Sequence, residues 1–233
     1  MAIGRHIVRS VLVGSFVLVG TYGLSRIGLF NWPAHYDPLA LPDLTETPYW
    51  LTQARLKLID LDGDNCRLSL SRAGLNFKIS ASKNGGPRCE LVDAVQMTKL
   101  SQAKIKSEDT RCNIAARLYM WERNVVQPQA KIFFGEDVAE IMHFGSYRCR
   151  TIRGSTAMSE HATGNAFDIS GFRLHSGKMI RVLKDWNAGN SGAFLHRVHD
   201  GLCDYFNLTL SPDYNADHKD HFHVDMGWVR GCH

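Results

Sequence analysis

The spacing of hydrophobic and polar positions changes several times along the chain, and each change predicts an element. Ser10 to Ser25 carry no charge and are rich in Val, Leu, Phe and Gly. That run predicts one apolar helix of about 24 Å, a little under a hydrocarbon core of about 30 Å. Pro33, Pro38, Pro42 and Pro48 follow and predict an extended linker. Thr47-Pro48 reads as an N-cap and first helical position, opening a short helix through about Ile59. Leu75, Phe77 and Ile79 alternate with Asn76 and Lys78, a strand pattern punctuated by Asn84-Gly-Gly-Pro87, with Leu91 to Leu100 as partner.

Asp109 or Thr110 is placed to cap the next helix. Cys112, Ala115, Ala116, Tyr119 and Met120 there recur on one helical face. A second helix is predicted from Glu136 to Phe144, between Gly135 and Gly145. Ala166 to Leu174, His175-Ser-Gly-Lys178 and Met179 to Val182 read as a hairpin. Ser191 to Gly201 has a helical pattern, Ser211 to Asp220 is loop, and His221 to Gly227 is a final strand. Helices mixed with an antiparallel sheet predict an α+β fold. The domain organisation read from these shifts is a membrane segment over 1–30, a linker over 31–48, a subdomain over 49–110 and a second domain over 111–233.

Composition narrows the function. At 44% hydrophobic and 21% charged residues, the chain has the material for a core and is neither disordered nor fibrous. Its formal charge of +4 is unevenly placed. Residues 1–30 hold Arg5, Arg9 and Arg26 with no acid, so residues 31–233 keep 24 basic side chains against 23 acidic. That balance lacks the footprint of a phosphate binder and argues against a nucleic-acid partner.

Arg5 and Arg9 precede the apolar run and no small-x-small cleavage site follows it. The expectation is therefore a retained inner-membrane anchor through residues 10–25, with the body in the periplasm; a cleaved signal peptide is the alternative. Six cysteines (Cys66, Cys89, Cys112, Cys149, Cys203 and Cys232) agree with an oxidising compartment, and no C-x-x-C pair suggests a zinc ribbon or redox motif. Cys66 and Cys89 flank the first hairpin and are expected to pair; the other four are left open.

Eight of the eleven histidines lie between His161 and His233. On a strand, His221, His223 and Asp225 share one face while Phe222 and Val224 take the other. His161 and Asp168 are seven apart, and Gly164 between them supplies a bend that can bring both to one point. Two histidines and a carboxylate with an open fourth position are the composition of a catalytic zinc site. Either Asp220 or His221, both beside His223, is placed to serve as its base.

The segments Ser159-Glu-His-Ala-Thr-Gly-Asn-Ala-Phe-Asp168 and Asp220-His-Phe-His-Val-Asp225 resemble the zinc peptidases of the lysostaphin, D-alanyl-D-alanine peptidase and hedgehog-like group. More closely, residues from about Cys66 to Asp225 resemble the bacterial extensin-like C-terminal domain family; Trp121, Val126-Gln-Pro128 and Gly145-Ser-Tyr-Arg-Cys-Arg150 add to the likeness. The resemblance implies Zn²⁺ as cofactor, His161, Asp168 and His223 as ligands, and Arg148 and Arg150 as candidates to hold substrate. The implied activity is hydrolysis of peptidoglycan peptides, with D,D-endopeptidase action on cross-links ahead of D,D-carboxypeptidase trimming; a metal-bearing wall-peptide binding module is the other class. The D-alanyl-D-alanine peptidases place Glu where this chain has Asp220. The shared strand face therefore makes His221 the expected base and Asp220 its orienting partner.

Overall fold

The computed structural model describes residues 2–29 and 33–233, with the side chains of residues 2–11 and 34 outside the description. The chain divides into two compact units, Met1–Ala40 and Leu41–His233.

In the first unit, helix α1 spans Ala2–Arg26. Gly28, at φ 78°, closes it by donating to the Ser25 carbonyl at 3.1 Å. Tyr22 and Arg26 both reach Asp37, the hydroxyl at 2.9 Å and the guanidinium at 3.8 Å. The side chains of Arg5 and Arg9, on which the expected orientation rests, lie outside the described residues. Among the described residues no helix is long and apolar enough to cross a membrane.

The second unit opens with helices α2 (Thr52–Leu61) and α3 (Gly63–Arg72). The helix expected at Thr47-Pro48 starts later: Thr52 is its first residue, and its hydroxyl accepts the Tyr49 amide at 2.8 Å. Leu44, within the expected linker, is fully buried in this unit's core. Helix α3, absent from the pattern reading, begins because the Asp62 carboxylate accepts the Asp64 and Asn65 amides.

Strands β1 (Phe77–Ile79), β2 (Lys83–Asn84), β3 (Glu90–Leu91), β4 (Ala94–Lys99) and β5 (Lys104–Arg111) follow. β1 pairs antiparallel with β4, as the alternation predicts. Asp109 and Thr110 cap nothing. Both belong to β5, where Asp109 takes Ser80 and Lys83 and Thr110 is buried. Helix α4 (Cys112–Trp121) then buries all ten of its residues, so the expected apolar face extends all round. A single π turn at Glu122–Val126 continues it into α5 (Gln127–Phe134), which ends at left-handed Gly135.

The helix expected over Glu136–Phe144 is instead strand β6 (Val138–Gly145), parallel to β5 and antiparallel to β7 (Ala166–Leu174). Three register shifts along β6 break its alternation. Val138, Ile141 and Gly145 are consequently the buried positions, a spacing that imitates a helix. β8 (Met179–Arg181) completes the predicted hairpin with β7. Helices α6 (Val182–Asp185) and α7 (Gly189–Leu202) follow, and then β9 (Leu208–Leu210), β10 (Phe222–Asp225) and β11 (Gly231–Cys232).

The result is an α+β fold whose mostly antiparallel main sheet runs β1-β4-β5-β6-β7-β10-β9-β11, with β8 added on β7. Strands from before and after residue 111 share this one sheet. Trp121 ties α4 to α7 by donating to the Val198 carbonyl at 2.8 Å, and Phe172 of β7 packs on both Trp121 and Phe194. Phe222 and Val224 point into this core at 0% exposure, so His223 and Asp225 must face the other way.

The disulfides correct one expectation. Cys66 pairs with Cys112, not Cys89; Cys89 pairs with Cys149, and Cys203 with Cys232. Cys66 on α3 lies against the start of α4, whereas Cys89 sits beside the loop that leaves β6.

Candidate metal centre

Strands β7 and β10 place Asp168 directly across from His223. His161 comes from a 3-10 turn (Glu160–Thr163) just before β7, capped by Ser159 and ended by Gly164 at φ 65°. A side chain at Gly164 would strike Leu91, at 2.4 Å from its Cδ1, and the left-handed turn returns the chain to the β7 edge. The bend expected at Gly164 is present, and His161, Asp168 and His223 meet.

Their inner atoms form a near-equilateral triangle. His161 Nε2 lies 3.1 Å from Asp168 Oδ1 and 3.2 Å from His223 Nδ1, and His223 Nδ1 lies 3.0 Å from the same Oδ1. All three residues are buried. The outer nitrogens decide what the inner ones offer. His161 Nδ1 is 2.6 Å from the Ser146 carbonyl, which only accepts, so that nitrogen carries the proton. His223 Nε2 is 3.0 Å from Asp225 Oδ2 and is likewise held protonated. Both inner nitrogens of the neutral rings therefore present lone pairs to a carboxylate oxygen.

Burial opposes charge here, yet the two imidazoles against it, His161 and His223, outweigh burial whenever either carries a second proton and hold the Asp168 carboxyl well below its ordinary value. Burial would likewise lower the His223 imidazole, but Asp168 and Asp225 raise it to about 9. The cluster thus draws positive charge. A proton on His223 Nδ1 satisfies the edge it shares with Asp168 but leaves the His161 Nε2 lone pair against Asp168 Oδ1. A cation bound at the centre satisfies all three edges. Ligands at 2.0–2.2 Å around a tetrahedral zinc stand about 3.3 Å apart, close to the spacing observed. The donor set therefore fits the ion, with each imidazole oriented by an acceptor behind it.

His221 lies just before β10, not within it, and still faces the cluster, its Nε2 3.5 Å from Asp168 Oδ1. Its Nδ1 lies 2.8 Å from Asp220 Oδ1, which fixes the proton on that side and leaves Nε2 with a lone pair. His218, which the pattern reading left without a role, stands with its ring 5.3 Å from His221 and 5.8 Å from His223. Burial and its two imidazole neighbours push it down to about 4, so it is neutral near pH 7. Its Nδ1 is held by Asn215 Oδ1 at 2.7 Å.

These groups form the floor of a cleft of about 880 Å³. One wall is the loop from β6 to the His161 turn, carrying Arg148, Arg150 and Arg153; the other includes Asn215, Asp217 and His218. Arg148 and Arg150 are exposed and bond only backbone carbonyls, of Phe144 and Thr151, with no ion pair among the described residues. Arg153 pairs with Asp217 at 2.5 Å.

Ser146 and Asp225 back the two imidazoles; the pattern gives no sign of Ser146 and marks Asp225 only as sharing the His223 face. Ser146 is fully buried; its carbonyl holds His161, and its hydroxyl lies 2.7 Å from the Ala166 carbonyl. A backbone acceptor leaves no mark on residue identity, and its role exists only because the end of β6 lies beside β7. For Asp225 the H-x-D spacing on a strand is the available signal, since it puts the carboxylate beside His223.

Comparison with known families matches residues 64–233 to the family described as Extensin-like protein C-terminus. Searches of curated proteins and of solved structures found no match.

Proposed function

The chain belongs to the extensin-like protein C-terminus family, and from that premise and its buried histidine–carboxylate cluster we propose a zinc-dependent peptidase acting on the peptide part of peptidoglycan. The observation that carries this reading is the triangle of inward donors at His161, Asp168 and His223, each imidazole locked from behind. Zinc held there would polarise the scissile carbonyl and lower the pKa of water to about 7.

His221 supplies the proton transfer. Asp220 holds its Nδ1–H, so Nε2 takes a proton from the attacking water and returns it to the leaving amine. Arg148 and Arg150 lie in the same cleft with guanidiniums available for a substrate carboxylate or carbonyl. The cleft's volume lies toward the upper end for ligand sites, which favours an internal cross-link over a terminal residue. A D,D-endopeptidase cutting the D-Ala–diaminopimelate bridge is the version we adopt. Three disulfides support a periplasmic location.

The test is direct. Full-length protein in detergent, loaded with zinc, is incubated with cross-linked muropeptides and the products are weighed. Monomers that account for one added water, lost with chelator, support the reading. Intact dimers under every zinc condition contradict it.

A further inference from the structure

The turn between β10 and β11 carries Trp228 at 100% exposure and Val229 at 67%, and both border the cleft. Tyr214 at 49% and Ile152 at 50% exposure border it as well. One exposed indole alone would mean little, but Ile152, Tyr214, Trp228 and Val229 gather around one cleft, and grouped exposed apolar side chains are the feature of a binding surface. The turn is tied down on both sides. The Gly227 amide donates to Asp225 Oδ1 at 2.8 Å, and the Gly227 carbonyl accepts from Asn207 Nδ2 at 2.8 Å. On the far side Gly231 pairs with β9, and Cys232 is bridged to Cys203. Asp225 therefore holds two things at once: Oδ2 orients the ring of His223, and Oδ1 sets the root of the Trp228 turn. The rim and the floor are fixed to one another through a single carboxylate.

The form of the surface selects its ligand. An aliphatic side chain gains from a concave pocket that covers it on several sides, whereas Trp228 offers flat faces with no cover. Such a face suits a ligand that is flat, rich in C–H on its faces and polar at its edge, which describes a pyranose ring. Hydrogen-bonding groups for such an edge line the same cleft at Arg150, Asn215 and Asp217.

We infer that Trp228 is a sugar platform: it stacks on an amino-sugar ring of the glycan that bears the scissile peptide and so selects substrate still attached to glycan. This rests on the peptidoglycan reading above. Trp228 touches neither the metal ligands nor His221 and acts through binding alone.

The test compares cross-linked stem peptides that keep their disaccharide with the same peptides freed of sugar. Trp228→Ala should raise KM for the sugar-bearing substrate about 10-fold, as expected for one aromatic contact, with kcat unchanged. Trp228→Phe should recover part of the loss, and cleavage of the sugar-free peptide should not change. A separate titration of the isolated disaccharide, read as indole emission of wild type against Trp228→Phe, should saturate only in wild type. Trp228-dependent sugar binding without cleavage of either substrate would uphold the platform and overturn the peptidase reading. Equal loss on both substrates, or no loss on either together with no sugar-dependent emission change, would overturn the platform.

Discussion

His161 Nε2 and His223 Nδ1, 62 residues apart in the chain, face each other at 3.2 Å with Asp168 Oδ1 within hydrogen-bonding distance of both. Their opposite ring nitrogens are spent on the Ser146 carbonyl and the Asp225 carboxylate. Most of the expectations for the site follow from this relationship.

Asp225 is expected to tune the metal without binding it. Asp225→Asn removes the carboxylate behind His223 Nε2, so zinc affinity measured by chelator competition should fall about 10-fold to 100-fold, with one zinc still bound at saturation. Unchanged affinity would show that His223 needs no such support.

Proton transfer separates Asp220 from His221. His221→Ala should lower turnover by about 10²–10⁴ with zinc retained, the weight of general acid–base catalysis. Asp220→Asn leaves an acceptor for His221 Nδ1 and should cost about 10-fold to 100-fold. Abolished hydrolysis in Asp220→Asn beside an active His221→Ala would instead make the carboxylate the base.

Arg117 is a stability test remote from the chemistry. Its side chain is fully buried on α4, pairs with Asp60 at 2.7 Å and donates to the Tyr205 carbonyl at 2.9 Å. Burial lowers its pKa even though Asp60 opposes the shift, so the pair offsets a real desolvation cost. Arg117→Ala should destabilise by about 3–5 kcal/mol because it empties a fully buried site, leaves the Tyr205 carbonyl without its donor and leaves Asp60 only the more exposed Lys57 as cation. Urea unfolding checks this, and a loss below 1 kcal/mol would contradict it.

The cysteines give a mapping experiment. Non-reducing peptide mass spectrometry should find Cys66–Cys112, Cys89–Cys149 and Cys203–Cys232, with no free thiol. Replacing Cys89 and Cys149 together by Ser should cost about 2–4 kcal/mol and raise KM, because that bridge roots the loop bearing Arg148 and Arg150. A Cys66–Cys89 peptide would return the pairing to the one suggested by the hairpin.

What could be read from the chain follows from how local each signal is. The β7–β8 hairpin, α4 and the His223 strand face each rest on side-chain period within one element, and each is present. The strand at 138–145 imitates a helix because its three register shifts belong to its pairing with β7, which no local pattern contains. Cys66 and Cys89 flank the first hairpin, which suggests their pairing, but α3 packs on α4 and brings Cys66 to Cys112. At the site, H-x6-D and H-x-H point to the three clustered residues, whereas Ser146 acts through its backbone. His218 matters only through the fold of the loop that sets it against two other rings.

The central claim is that three side chains hold one metal ion, and elemental analysis of the full-length protein tests it most directly. One zinc per chain is expected, falling close to zero in His161→Ala, Asp168→Ala and His223→Ala while circular dichroism shows each variant folded. A folded wild-type chain that takes up no zinc, or one whose zinc survives all three substitutions, would contradict the account.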